Sequence, residues 1–320
     1  MSPRARTSII VAAIALLAAG AVAAAAVLSA EEIEADPAVM SQPKPRPGSP
    51  PLELSLGIRD DNEARELRRA VQLYEDGRRA QAGRIFARFD SLEAKLGAAF
   101  AAWPRTEDRV EQLGALYPRS ALVQLHVGLA RLWASVGGAG SAGREARDVE
   151  PDTPYAVWAD DLLHPELAPG LPLFTPSFPY RIEGDTPAAQ LETLRASRTT
   201  RGLLVYGIAL QRLGRPVSAR RAFADALRLT PNDVDALVAD AVGRYEKSDP
   251  AGAFSRLGPL TRRFPGSATV RFHLGVLLLW QSDLQEAKRQ LRLAQAAEPG
   301  SRIAREAGRY LQEVGQAGTG

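Results

Sequence analysis

Cysteine is absent from the 320 residues, which removes disulfides, thiolate nucleophiles and thiolate metal sites together and leaves the compartment open. Histidine is scarce: His126, His164 and His273 are the whole set, and no two share the i, i+4 spacing of a helical metal site. His126 and His273 fall within apolar helical patterns, where a hydrogen-bonded structural role is the default. Lysine is limited to Lys44, Lys95, Lys247 and Lys288 among 40 basic residues, so arginine carries the positive charge. No basic run interleaved with aromatics and no recognisable module points to nucleic acid. The acid pairs Asp60-Asp61 and Asp160-Asp161 are adjacent in sequence and do not converge as a general acid and base must. Gly138, Gly140 and Gly143 fit dinucleotide-binding spacing literally, but they follow an amphipathic helical pattern rather than a strand. Catalytic residues, cofactors and metals are therefore not expected. An enzyme with its site in residues 104–187 is the reading ranked last.

What is present is apolar content of 45%, enough for one or two cores, and a net charge of +3 that is unevenly spread. Residues 201–320 hold 18 Lys/Arg against 11 Asp/Glu, and residues 1–200 hold 22 against 26. A solvated arginine-rich outer face accounts for this; steering of acidic partners or anionic lipid is the other reading.

Residues 9–28 form an uncharged run, preceded by Arg4 and Arg6 and followed by Glu31, Glu32, Glu34 and Asp36. Twenty helical residues at 1.5 Å rise match a bilayer core of ~30 Å. The charge flanks predict residues 1–8 in the cytoplasm and the bulk of the chain outside it, in a bacterial cytoplasmic membrane. The alternative is a cleaved signal peptide and a secreted protein, because small residues near Ala26 and Ala30 suit cleavage. The span is preferred because a signal core is normally shorter. Residues 29–60 carry Pro37, Pro43, Pro45, Pro47, Pro50 and Pro51 and read as an extended spacer.

Pro231, Pro265 and Pro299 fall 34 residues apart and punctuate three copies of one pattern. The first copy reads Leu203, Tyr206, Gly207, Leu210, Gly214, then Ala219, Phe223 and Ala226. The third repeats it with Leu274, Gly275, Leu278, Ala287, Leu291 and Ala294. The middle copy keeps Leu237, Ala241, Ala253, Leu257 and Leu260 but places Asp240 and Arg244 where its neighbours are apolar. At these residues the chain resembles the tetratricopeptide repeat (TPR) family. The resemblance implies an all-α solenoid of helix pairs, here preceded by a single transmembrane helix, with a concave groove that binds peptides or partner helices.

Residues 61–163 read as degenerate repeats around Ala70, Leu73, Gly77, Ala82, Phe86 and Phe89, with the second helix expected to run on through Leu96 and Phe100 to Trp103. A short helix from Thr106 to Leu116 follows, then a first-helix candidate over 120–135 and, after a glycine-rich break, a short helix ending at Pro151. Residues 164–187 interleave six prolines with Leu171, Leu173, Phe174, Phe178 and Tyr180. Proline excludes helix, and the apolar residues exclude a free linker, so this segment is expected to lie extended against helices, at an edge of the stack or in its groove. Residues 188–314 hold the clear repeats and a capping helix with Arg302, Arg305 and Arg309 towards solvent; 315–320 are a tail.

If the resemblance holds, the groove is lined by Arg201, Leu204, Ile208, Gln211 and Arg212, by Asp235, Val238, Val242, Tyr245 and Glu246, and by Thr269, Phe272, Val276, Leu279 and Trp280. That wall is mostly apolar and suits a hydrophobic or helical peptide. The function expected is a membrane-anchored, non-enzymatic scaffold for protein–protein interaction in a bacterial envelope complex. The alternatives are a self-associating structural protein, or an accessory factor of protein translocation or cytochrome c maturation.

Overall fold

The computed structural model of the chain describes residues 45–317, which fall in two compact units, 45–163 and 164–317. Residues 9–28, read above as a membrane span or signal peptide, lie outside the described residues. Among the described residues no helix is long and apolar enough to cross a membrane.

In the N-terminal unit α1 (Asn62–Glu75), α2 (Arg79–Phe86), α3 (Leu92–Ala101), α4 (Glu107–Leu116), α5 (Ala121–Ala134), α6 (Ala139–Val149) and α7 (Pro154–Leu163) form three successive helix pairs and a closing helix. The first helices α1, α3, α5 and α7 touch in succession, as a solenoid requires. Asp61, Ser91 and Ser120 cap α1, α3 and α5 by accepting the backbone N–H three residues on. The Ser91 cap is why the single long second helix expected here does not form. A start signal inside the apolar run breaks it into α2 and α3. The core is built on Leu67, Phe86, Leu96 and Phe100. The spacer expectation also needs correction at its C-terminal end. Residues 50–56 are neither helix nor strand but are docked, with Leu52 and Leu56 in that core.

In the C-terminal unit the segment 171–182 is neither helix nor strand, bends at Ser177 and Phe178, and leads to α8 (Pro187–Arg195), which Thr186 caps. Three helix pairs follow: α9 (Thr200–Arg212) with α10 (Pro216–Leu229), α11 (Val234–Val242) with α12 (Ala251–Arg263), and α13 (Ala268–Trp280) with α14 (Leu284–Ala297). The last helix, α15 (Arg302–Ala317), closes the stack, and α9, α11, α13 and α15 touch in succession. Gly207 of α9 is small because a Cβ there would overlap the ring of Phe223, and Gly275 holds the same place against Leu291. The misfit of the middle repeat resolves as a pair: Arg244 Nε and Nη2 donate to the Asp240 carboxylate at 2.9 and 3.0 Å.

Candidate functional site

The extended segment after α7 crosses the first helices of the C-terminal unit, and its backbone groups are met by side chains. Gln211 of α9 accepts from Phe174 N–H at 3.0 Å and donates to the Pro172 carbonyl at 3.3 Å. His273 of α13 accepts from Thr175 N–H at 2.9 Å. Asp235 of α11 accepts from Ser177 N–H at 2.9 Å and from its hydroxyl at 2.5 Å. Arg302 of α15 donates to the carbonyls of Pro176 and Phe178 at 2.6 and 3.3 Å. Trp280 Nε1 donates to the Gly170 carbonyl at 3.1 Å. Apart from the Ser177 hydroxyl bond, each of these hydrogen bonds answers a backbone polar group that a strand would present to a neighbouring strand. Here the partner is a row of side chains on four helices.

Side-chain contacts fix the register. Phe174 is buried, stacked on the His273 ring at 5.1 Å and edge-on to Phe223 at 5.6 Å. Phe178 lies under the Arg201 guanidinium at 5.0 Å, and Tyr180 under Arg302 at 5.6 Å.

The His273 imidazole is fully buried. Its Nδ1 lies 2.7 Å from the Thr269 carbonyl, so the proton sits on Nδ1 and Nε2 is left as the acceptor for Thr175. Burial pushes its pKa down to about 4, partly offset by the Thr269 bond. The ring is neutral, as its role as acceptor requires. Asp235 is shifted the other way by burial, against the lowering effect of the Ser177 bonds.

The expected lining residues divide. Gln211 and Trp280 hold the segment's main chain, and Arg201 covers Phe178. Leu204, Ile208, Val238, Val242 and Tyr245 are buried in the core cluster that includes Phe174. Arg212 is exposed. Phe272 and Val276 belong instead to the core between α13, α14 and α15, where Phe272 meets Tyr310 edge-on at 5.4 Å; Leu279 is half-buried beside them. One residue is about 100° on a helix, and that step puts Phe272 into the core and His273 onto the segment. Arg302, expected to face solvent, reaches inward. Sequence reasoning missed His273 and Arg302 as site residues.

Among the described residues no group of three or more His or acidic side chains could hold a metal ion. No family model matches the chain, and no curated protein matches it. Among solved structures it is similar to YrrB, a TPR protein with an unusual peptide-binding site: 15% identity, 63% of this chain and 99% of that one, TM-score 0.31. Yeast Tom70 gives 13% identity over 78% of this chain and 48% of that one, TM-score 0.31. The anaphase-promoting-complex hetero-tetramer Cut9–Hcn1 gives 14%, 79% and 56%, TM-score 0.28. The chain thus spans about half the length of the latter two. Likeness at this level says nothing of the groove, whose chemistry is read from this chain's own side chains.

Proposed function

We propose that the chain is a membrane-tethered, non-catalytic scaffold whose groove takes an extended segment of a partner protein by its main chain. The observation that carries this is the commitment of Gln211, Asp235, His273, Trp280 and Arg302 to the backbone of residues 170–178. A groove built for a partner helix would have no use for them, because a helix satisfies its own backbone groups. The occupant seen is the chain's own segment, and a partner segment competes with it for the same groups. Residues 9–28 supply the tether, and the basic flank before them with the acidic flank after them supports an extracytoplasmic scaffold in a bacterial envelope complex. Self-association is the second reading: the segment of one copy would then occupy the groove of another.

The test unseats the resident segment and offers it back in trans. Thr175→Pro removes the N–H that His273 accepts, and Phe174→Asp removes the buried ring. A labelled peptide of residues 169–180 is expected to bind both full-length variants and to lose binding when Asp235→Ala is added. Absence of binding to variants whose helical circular dichroism is intact would reject the reading. A concentration-dependent dimer of the unaltered chain, dissociated by the same peptide, would favour self-association.

A further inference from the structure

Each unit holds a docked non-helical segment, and the two segments carry one pattern. The histidines set the register. His126 of α5 and His273 of α13 stand at matched places, because residues 118–135 and 265–282 are identical at nine of eighteen positions, among them Pro118/Pro265, Ser120/Ser267, Gly128/Gly275 and Trp133/Trp280. His126 Nδ1 lies 2.7 Å from the Leu122 carbonyl, four residues back as in α13, and Nε2 accepts from Glu53 N–H at 3.2 Å. Glu53 is therefore the counterpart of Thr175. Counted from these two residues, Pro47, Gly48, Pro50 and Ser55 fall on Pro169, Gly170, Pro172 and Ser177. The apolar anchors Leu52 and Leu56 fall on Phe174 and Phe178.

The shared residues do the same things in both units. Gly48 and Gly170 have positive φ, 83° and 69°, and each forms a bend with the proline before it. A Cβ at either glycine would meet nothing within 4 Å, so backbone conformation rather than space reserves the position for glycine. Pro50 and Pro172 are buried, and a proline brings no N–H that the groove would have to satisfy. Their carbonyls are met from the end of the first helix of the first pair, by the Tyr74 hydroxyl of α1 at 2.6 Å and by Gln211 Nε2 of α9 at 3.3 Å. Two residues on, Leu52 and Phe174 enter the cores, and the next N–H goes to the imidazole. The first turn of each closing helix then holds the main chain at the serine. The Tyr155 hydroxyl of α7 accepts from Ser55 N–H at 3.2 Å and donates to its carbonyl at 3.1 Å, and Arg302 of α15 donates to the carbonyls on either side of Ser177. At the imidazole, where the main chain is what is bonded, identity is not kept: Glu53 stands against Thr175.

Resting on the reading of the C-terminal groove as a partner site, we propose that its ligand is a segment of the form Pro-Gly-x-Pro-x-apolar-x-x-Ser-apolar, with the glycine in the left-handed region. The groove selects this pattern rather than the whole sequence of residues 169–178. The chain itself carries two instances, each seated on the first helices of a stack of the same plan.

The test uses the full chain carrying Thr175→Pro or, separately, Phe174→Asp, with the N-terminal segment unaltered. The probe is a labelled peptide of residues 46–57, which is identical to residues 168–179 only at the two prolines, the glycine and the serine of the motif. It is expected to bind both variants within about tenfold of the 169–180 peptide and to be displaced by it. The unaltered chain, whose tethered segment competes at an effective concentration of about millimolar, should bind it at least tenfold more weakly. Adding His273→Phe to either variant should cost about tenfold, which places the peptide at the C-terminal groove. Gly48→Ala in the peptide should also cost about tenfold, whereas D-alanine in place of Gly48 should cost nothing, because positive φ strains only the L residue.

Suppose the 169–180 peptide binds. If the 46–57 peptide then fails to bind, binds without being displaced, or tolerates L- and D-alanine alike, the motif is overturned while the groove stands as a partner site. If neither peptide binds variants whose helical circular dichroism is intact, the reading of the groove fails and the motif with it.

Discussion

Two histidines in apolar helices read most simply as core residues, and both are buried; what the sequence did not declare was their partner. An imidazole that donates to the carbonyl four residues back has one lone pair left, and in each unit an extended segment supplies the N–H. His273→Phe keeps the volume and leaves the Thr175 N–H without an acceptor, so it is expected to cost ~1–3 kcal/mol in chemical denaturation. His273→Gln should recover part of that. Both rings have folded pKa values near 4, below the ordinary 6.5, so the stability they supply is complete above pH 6.5 and is lost as pH falls through about 4. Glu53 has the opposite sign: its contribution is complete below pH 4.5 and lost as pH rises through about 7. Amide-exchange protection of Thr175 should therefore fall on acidification alone. Protection of Glu53 should also fall between pH 6 and 8, and Glu53→Gln should remove that alkaline loss. The signal that could have singled out both histidines is the shared Pro-x-Ser-Ala-x-Val-x-x-His-x-Gly pattern. Its repeat distance of 147 residues is not a multiple of the 34-residue helix-pair period.

At the scale of elements, proline spacing and small residues made the C-terminal pairs legible, because each 34-residue unit writes its own stops. Gly207 and Gly275 mark close approach, and Gly207→Leu is expected to destabilise by ~1–3 kcal/mol, since Phe223 must leave its place. Glu298→Ala should cost about 1 kcal/mol by leaving the first N–H of α13 unanswered. Thermal melts of the two variants measure both. Where hydrophobic spacing runs on without proline, the boundary is hidden: Phe86 to Phe100 reads as continuous, whereas α2 ends at Phe86, residues 87–90 are not helical, and α3 starts after the Ser91 cap. Register on α13 was lost for a related reason. Phe272, His273 and Val276 are all apolar-compatible, and a helix buried on nearly every side offers no polar stripe to orient it.

At the scale of the whole molecule, the 34-residue period and the resemblance it carries indicated an all-α solenoid but not that it comes as two units, each with three helix pairs, a closing helix and a docked non-helical segment, with α8 added in the C-terminal one. The N-terminal segment was hidden because its prolines belong to the stretch read as spacer. The tether proposed for residues 9–28 predicts that the full chain stays in the membrane fraction through carbonate extraction. Release of a shortened chain beginning near Ala30 would make that stretch a signal peptide instead. The row of anchors across the C-terminal unit also has a polarity. Trp280 takes a carbonyl at residue 170, His273 an N–H at 175 and Arg302 carbonyls at 176 and 178, so donors and acceptors are spaced for a chain running one way. A segment entering backwards would offer its amides and carbonyls out of step with these anchors. A peptide of residues 169–180 written in reverse order, unchanged in composition and hydrophobicity, is accordingly expected not to bind, and a partner segment would lie in the groove in one chain direction only.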